Sequence, residues 1–156
     1  MKKSIKKNIK TNSRRETQLA GAAFGVFLAK HSSSARYAQV VALKGELGAG
    51  KTTFVQGVAK GLGIKEKILS PTFVIIKFYK LKTINYKLLY HIDCYRIKDE
   101  QDLLALGWDK IVSDPQNLVL IEWPERVRKL LPKNTIFISF KTIKTSKSHA
   151  RKITFS

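Results

Sequence analysis

The chain has 156 residues, enough for one domain around one hydrophobic core. A hydrophobic content of 44% argues against a disordered chain, and a single cysteine, Cys94, excludes an internal disulfide framework. The net charge is +19, and it gathers at the ends: residues 1–15 hold seven Lys or Arg and residues 141–156 hold five, with no acid in either span.

In chain order, residues 1–12 read as a basic disordered arm and 13–156 as a single domain with a basic C-terminal edge segment, 141–156. Ser13 and Glu16 have the spacing of a capping box, and Arg14–Lys30 reads as a mostly apolar helix. The basic start, the apolar stretch 19–29 and the small residues after it share the outline of a secretion signal, and Ser13-Arg14-Arg15 that of a twin-arginine one. Glu16, Thr17 and Gln18 interrupt that outline, and 11 apolar residues are too few to span a bilayer, so a cytoplasmic chain without membrane contact is expected. After a polar loop over 31–36, Gln39–Lys44 is a short apolar strand, followed by a Gly-rich turn. Lys51–Leu62 places Phe54, Val55, Val58, Ala59 and Leu62 at helical spacing. Ser70-Pro71-Thr72 opens a loop into a strand at Phe73–Tyr79, with Tyr86–Ile92 as its hairpin partner. Asp99–Leu106 reads as a short helix stopped by Gly107. Leu118–Glu122 has the apolar run of a central parallel strand, and Pro124–Leu131 is helical with proline in its first turn. Thr135–Phe140 and Arg151–Phe155 alternate as strands paired at an edge. Strands alternating with helices predict an α/β three-layer domain: a central mixed, mainly parallel sheet with helices on both faces.

The segment Gly45-Glu46-Leu47-Gly48-Ala49-Gly50-Lys51-Thr52 satisfies the pattern G-x-x-x-x-G-K-[ST], and it lies between a predicted strand and a predicted helix. Glycines there let successive N–H groups turn inward toward phosphates, and the following helix adds its positive end. Lys51 would reach the β- and γ-phosphates of ATP, and Thr52 would ligate Mg²⁺. Such a loop needs a carboxylate on a neighbouring strand. Glu122, after Leu118-Val119-Leu120-Ile121, and Asp93, after Leu88-Leu89-Tyr90-His91-Ile92, are the two candidates. The first follows the purely apolar strand. His91 shares a strand face with Asp93 and is expected to be a structural, hydrogen-bonded histidine. Cys94 is expected to be an inert buried thiol, and His31 and His149 surface residues.

Four segments taken together resemble the TsaE family, the small P-loop ATPases of bacterial tRNA threonylcarbamoyladenosine biosynthesis. They are 45–53, ending in Thr52-Thr53; Ser70-Pro71-Thr72-Phe73; His91-Ile92-Asp93-Cys94-Tyr95-Arg96; and Leu120-Ile121-Glu122-Trp123-Pro124-Glu125. Their order and separations match, and Glu16-Thr17 resembles the start of the family's first helix. The resemblance covers about 16–140; the arm 1–12 lies outside it and 141–156 matches loosely. It implies that Thr52 and Glu122 hold Mg²⁺ and that Lys51 and the loop amides, Gly45 through Thr53, hold ATP. It further implies that Asp93 acts in hydrolysis near the γ-phosphate, that Ser70-Pro71-Thr72 form a nucleotide-sensing switch loop, and that Thr17 lies near the adenine. The implied partners are TsaB and TsaD, whose catalytic cycle the ATPase resets or sustains.

Two other functions fit parts of the sequence. A small P-loop metabolite kinase would need an arginine-bearing lid, which Arg126 and Arg128 could imitate. An RNA-binding module using nucleotide as a switch would account for the basic ends, which would contact tRNA. Lysine outnumbers arginine 23 to 7, whereas directed phosphate readers favour arginine, so solvated ends are the competing reading.

Overall fold

The computed structural model describes residues 7–31, 36–146 and 149–156. The elements are β1 (Lys7–Thr11), α1 (Arg14–Lys30), β2 (Gln39–Lys44), α2 (Lys51–Gly61), β3 (Ile76–Lys80), β4 (Leu88–Asp93), α3 (Glu100–Ala105), α4 (Trp108–Ser113), β5 (Asn117–Glu122), a 3-10 helix (Pro124–Leu130), β6 (Ile136–Lys144) and β7 (His149–Phe155). The strands form one sheet in the order β1-β7-β6-β2-β5-β4-β3. The central four, β6, β2, β5 and β4, run parallel, and β3, β7 and β1 flank them through antiparallel pairs. Alternation along the strands sorts their side chains into two cores. Val41, Leu43, Leu89, Leu118 and Leu120 pack with Phe54, Val55 and Val58 of α2 on one face. Val40, Ala42, Ile92, Val119 and Ile121 pack with Leu103, Trp108 and Val127 on the other. The expected three-layer arrangement follows from this division. Among the described residues no helix is long and apolar enough to cross a membrane.

Helices α1 and α2 lie unusually close because small residues face each other. A Cβ placed on Gly21 would stand 2.3 Å from the Phe54 carbonyl oxygen, and one on Gly57 2.1 Å from that of Gln18. The next turns repeat the contact, Gly25 against Val58 and Gly61 against Ala22. Backbone cannot yield as a flexible side chain can, so Gly57→Ala is expected to destabilise the fold by about 1–3 kcal/mol. A lowered urea midpoint at unchanged slope would register this.

The capping box forms in altered shape. The Glu16 N–H donates to Ser13 Oγ at 3.1 Å, but the Glu16 carboxylate reaches back to the Asn12 N–H at 2.7 Å instead of to Ser13.

Several boundaries differ from expectation. Residues 7–11, assigned by charge to a disordered arm, pair with β7 from Lys7↔Phe155 to Thr11↔Arg151. Lysines masked a period-two pattern whose other residues face inward: Ile9 packs on the core and Thr11 Oγ1 lies 2.8 Å from Thr17 Oγ1. Residues 1–6 of that arm, 32–35 of the polar loop and 147–148 of the C-terminal segment lie outside the described residues. The segment 141–144, counted with the basic edge, continues β6 against β7, and the outermost strand at this end of the sheet is β1. The strand expected from Phe73 begins at Ile76, because Val74 and Ile75 donate back to the Pro71 carbonyl and close a turn. Gly107 ends α3 as expected but also opens α4, which the sequence did not reveal. The expected helix at 124–131 is a 3-10 helix kinked at Val127.

Candidate functional site

The parallel register brings the two carboxylates together. Leu43 at the end of β2 pairs with Glu122, and Glu122 pairs with Asp93. Both acids share the strand faces that carry Leu89, Leu118 and Leu120, so they lie on the α2 side at the C-terminal ends of the strands. The Gly-rich turn leaves β2 at this same edge, as ligand sites of open α/β sheets do. Two glycines in it have no substitute. At Gly45, φ is +156° and a Cβ would stand 2.8 Å from the Phe140 carbonyl oxygen; at Gly50, φ is +101° and a Cβ would meet Arg151 at 2.9 Å. Gly50 is the N-cap of α2 and makes no side-chain capping hydrogen bond to the helix N-terminus.

Lys51 is buried, and its ammonium donates to the carbonyls of Gly45 and of Glu46, the latter at 3.0 Å. It also sits 4.3 Å from the centre of the Trp123 ring. Burial lowers its pKa below the ordinary lysine value, against the raising influence of Glu122, Asp93 and Glu125. Thr52 Oγ1 donates to Glu122 Oε1 at 3.1 Å. His91 Nε2 lies 2.8 Å from the same carboxylate oxygen. His91 is therefore the hydrogen-bonded histidine that was expected, but its partner is a site carboxylate.

Asp93 is held at both oxygens. The Tyr95 N–H donates to Oδ1 at 2.9 Å, and Thr72 Oγ1 donates to Oδ2 at 2.9 Å. Ser70 Oγ lies 2.7 Å from Thr72 Oγ1, so with Thr72 donating to Asp93, Ser70 is the donor to Thr72. Pro71 is buried under this turn, and the turn ends at Ile75, whose φ of +67° is costly for a β-branched residue. Trp123, immediately after Glu122, has φ +58°. Left-handed residues of this kind cost roughly 1–3 kcal/mol each and cluster where a site constrains the backbone.

The cleft of about 240 Å³ is lined by Leu47, Gly48, Ala49, Gly50, Lys51, Thr52, Thr53, Ser70, Thr72, Asp93, Tyr95, Glu122, Trp123 and Arg151. Pockets that engulf a whole ligand run from about 300 to 1,000 Å³. Thr17 does not line it. That side chain is fully buried, with its hydroxyl engaged by Thr11 and the Ser13 carbonyl. Arg151 was missed by sequence reading. It comes from β7, one hundred residues after the loop, and its Nε is buried without a hydrogen-bond partner among the described residues. Nothing local in Ala150-Arg151-Lys152 separates it from the other basic residues; only strand order brings it here. Cys94 is buried beside the site, and burial pushes its thiol up to about 12, as suits an inert residue. Among the described residues no three His, Cys, Asp or Glu side chains gather as a cage for a metal ion.

A central parallel sheet, helices on both faces and a glycine-bounded loop between β2 and α2 define an α/β protein of P-loop-like fold. The family model described as threonylcarbamoyl adenosine biosynthesis protein TsaE matches residues 11–153, and the chain belongs to that family. A tRNA threonylcarbamoyladenosine biosynthesis protein TsaE from Treponema pallidum is 42% identical over 104 residues, 67% of this chain and 73% of the relative. One from Bacillus subtilis is 41% identical over 122 residues, 78% of this chain and 72% of the relative. Among solved structures, Bacillus subtilis YdiB aligns with a TM-score of 0.73 and 32% identity, covering 96% of this chain and 84% of that one. The family is one of tRNA modification, acting in threonylcarbamoyladenosine biosynthesis.

Proposed function

We propose that the chain binds ATP with Mg²⁺, hydrolyses it slowly, and thereby supports a TsaB–TsaD complex that threonylcarbamoylates the adenosine beside the tRNA anticodon. The observation that carries the ATPase reading is the Thr52–Glu122 hydrogen bond at the mouth of the glycine loop. By donating its only proton to Glu122, Thr52 keeps its lone pairs free to face a cation. A cation held by these two groups would complete its shell with water and phosphate oxygens, which is how Mg²⁺ is usually bound and why no all-protein cage is needed. Arg151, which lines the same cleft and whose buried Nε has no hydrogen-bond partner among the described residues, favours an anionic ligand there. At about 240 Å³ the cleft is smaller than pockets that engulf a whole ligand, which supports a reading in which it encloses the phosphates.

Bound Mg²⁺-ATP supplies the electrophilic γ-phosphorus and a good leaving group. The chain's own groups do the rest. Lys51 exchanges its two loop carbonyls for phosphate oxygens and neutralises their charge. Thr52 and Glu122 would hold the cation, and His91, in contact with the same Glu122 oxygen that accepts from Thr52, fixes that carboxylate. Asp93, immobilised by Tyr95 and Thr72, orients the attacking water. Thr72 and Ser70 connect that carboxylate to the turn 70–75, which gives the turn a direct way to register the state of the γ-phosphate. Phe73 and Val74 project from this turn with 83% and 57% exposure, an apolar tip suited to a protein partner.

Hydrolysis by the pure chain is expected to be slow and to rise when TsaB and TsaD are added. Groups supplied in trans to P-loop enzymes are worth about 10³–10⁵ in rate. Phosphate release measured with and without the two partners is the test. Fast turnover by the chain alone, indifferent to the partners, would count against the reading. Transfer of phosphate to a small metabolite would instead identify a kinase.

A further inference from the structure

We infer that the uncovered face of the β1-β7-β6 end of the sheet is a docking surface for the sugar–phosphate backbone of RNA. The charge that looks like two separate basic ends in the sequence is gathered by strand pairing onto one surface. Lys10 pairs with Lys152, and Lys152 pairs with Lys141, so three lysines stand in one row across three strands. Paired strands lie about 4.8 Å apart, so the row spans about 10 Å. All three side chains are exposed. They face away from α1, because Ile9, Ile153 and Phe140, one residue along in each strand, are packed in the α1–α2 core.

Like charges placed directly opposite one another oppose sheet formation. No acid occurs in β1, β6 or β7 to relieve them, and no ion pair to these lysines forms among the described residues. The next row on this face, Asn8, Thr154 and Ser139, offers an amide and two hydroxyls, with Thr154 donating to Asn8 at 2.8 Å. Ser139 in turn pairs with Lys44 of β2, and the adjoining cleft adds one cation and one acid, Arg128 and Glu125. A ledge of ammonium groups beside neutral hydrogen-bonding groups matches a phosphodiester backbone with its sugar hydroxyls. The row itself holds lysines and no arginine, which gives charge neutralisation without base reading, so binding on it is sequence-independent. The family's place in tRNA modification favours RNA over an anionic membrane or an acidic protein. The inference is independent of ATP hydrolysis.

The test is equilibrium binding of unmodified tRNA to the full chain across a salt series, with Lys10, Lys141 and Lys152 changed together to Gln. Three lost phosphate contacts should flatten the slope of log affinity against log salt by about 2–2.7. Between 50 and 200 mM salt the wild type would then lose about 20–40-fold more affinity than the variant. Changing Lys60, Lys65 and Lys67 to Gln removes equal charge elsewhere and should leave the slope near wild type. The variant's melting temperature should equal or exceed that of the wild type, since a repulsive row has been removed. No tRNA binding by the wild type at 50 mM salt would overturn the inference, as would equal slopes for the two triple variants. Lysine-row-dependent binding to phosphatidylserine vesicles but not to tRNA would overturn it in favour of a membrane surface.

Discussion

Asp93→Asn is expected to bind ATP with near-normal affinity and to lose hydrolysis by roughly 10²–10⁴-fold, the range for a group that handles the attacking nucleophile. Both oxygens of Asp93 are already engaged, by the Tyr95 N–H and the Thr72 hydroxyl, and asparagine keeps the size while removing the charge. An interaction made mainly in the transition state shows this separation of binding from turnover. Glu122→Gln should behave differently. Glu122 accepts from Thr52 and contacts His91 through one oxygen, so losing its charge weakens the hold on a cation rather than on water. The expected result is an Mg²⁺ requirement raised about 10–100-fold, with binding and hydrolysis recovering together as Mg²⁺ is added. Titrating Mg²⁺ against both variants decides the assignment. If Asp93→Asn carries the metal defect and Glu122→Gln does not, the roles are exchanged.

Lys51→Ala is expected to abolish measurable ATP binding while the chain stays folded. Charge-assisted hydrogen bonds are worth about 1.5–3 kcal/mol each, so losing two or more costs several orders of magnitude in affinity. The fold should not suffer, and the sign of the pKa shift says why. Burial lowers the Lys51 pKa, so the unfolded chain holds that proton more tightly than the folded one. The group therefore opposes folding at neutral pH, and its opposition fades as pH rises through the folded pKa toward 10.5. Alanine at this position removes that opposition along with the Lys51 hydrogen bonds to the loop, and the variant should remain folded near pH 7. Circular dichroism melting together with nucleotide titration checks both halves. A folded variant that still hydrolyses ATP at the wild-type rate would remove this loop from the site.

Local signals were strong wherever one element carried its own pattern. The helical spacing of Phe54, Val55 and Val58 and the apolar run Leu118–Ile121 identified α2 and β5 because each periodicity is complete within a few residues. Lys51 and Thr52 were legible because the glycine loop is contiguous, and Asp93 and Glu122 because each ends an apolar strand. Short elements were less so. Helix α4 has six residues and follows a glycine that reads equally well as a stop. Strand β1 has only two inward residues, Ile9 and Thr11, among lysines and an asparagine that signal disorder.

What the linear chain could establish was pattern held within single segments: a glycine-rich loop, two strand-end acids, and alternation of strands with helices. Strand order and register decided the rest, since these depend on pairing between distant residues. The parallel pairing of β2, β5 and β4 puts Glu122 beside Asp93, and the fold then aims Thr52 and His91 at one carboxylate oxygen. The antiparallel pairing of β7 with β1 and β6 sends Arg151 to the glycine loop and its neighbour Lys152 to the opposite face beside Lys10 and Lys141. Adjacent residues on a strand point to opposite faces, so one basic segment serves two surfaces, and only the sheet fixes which residue faces which.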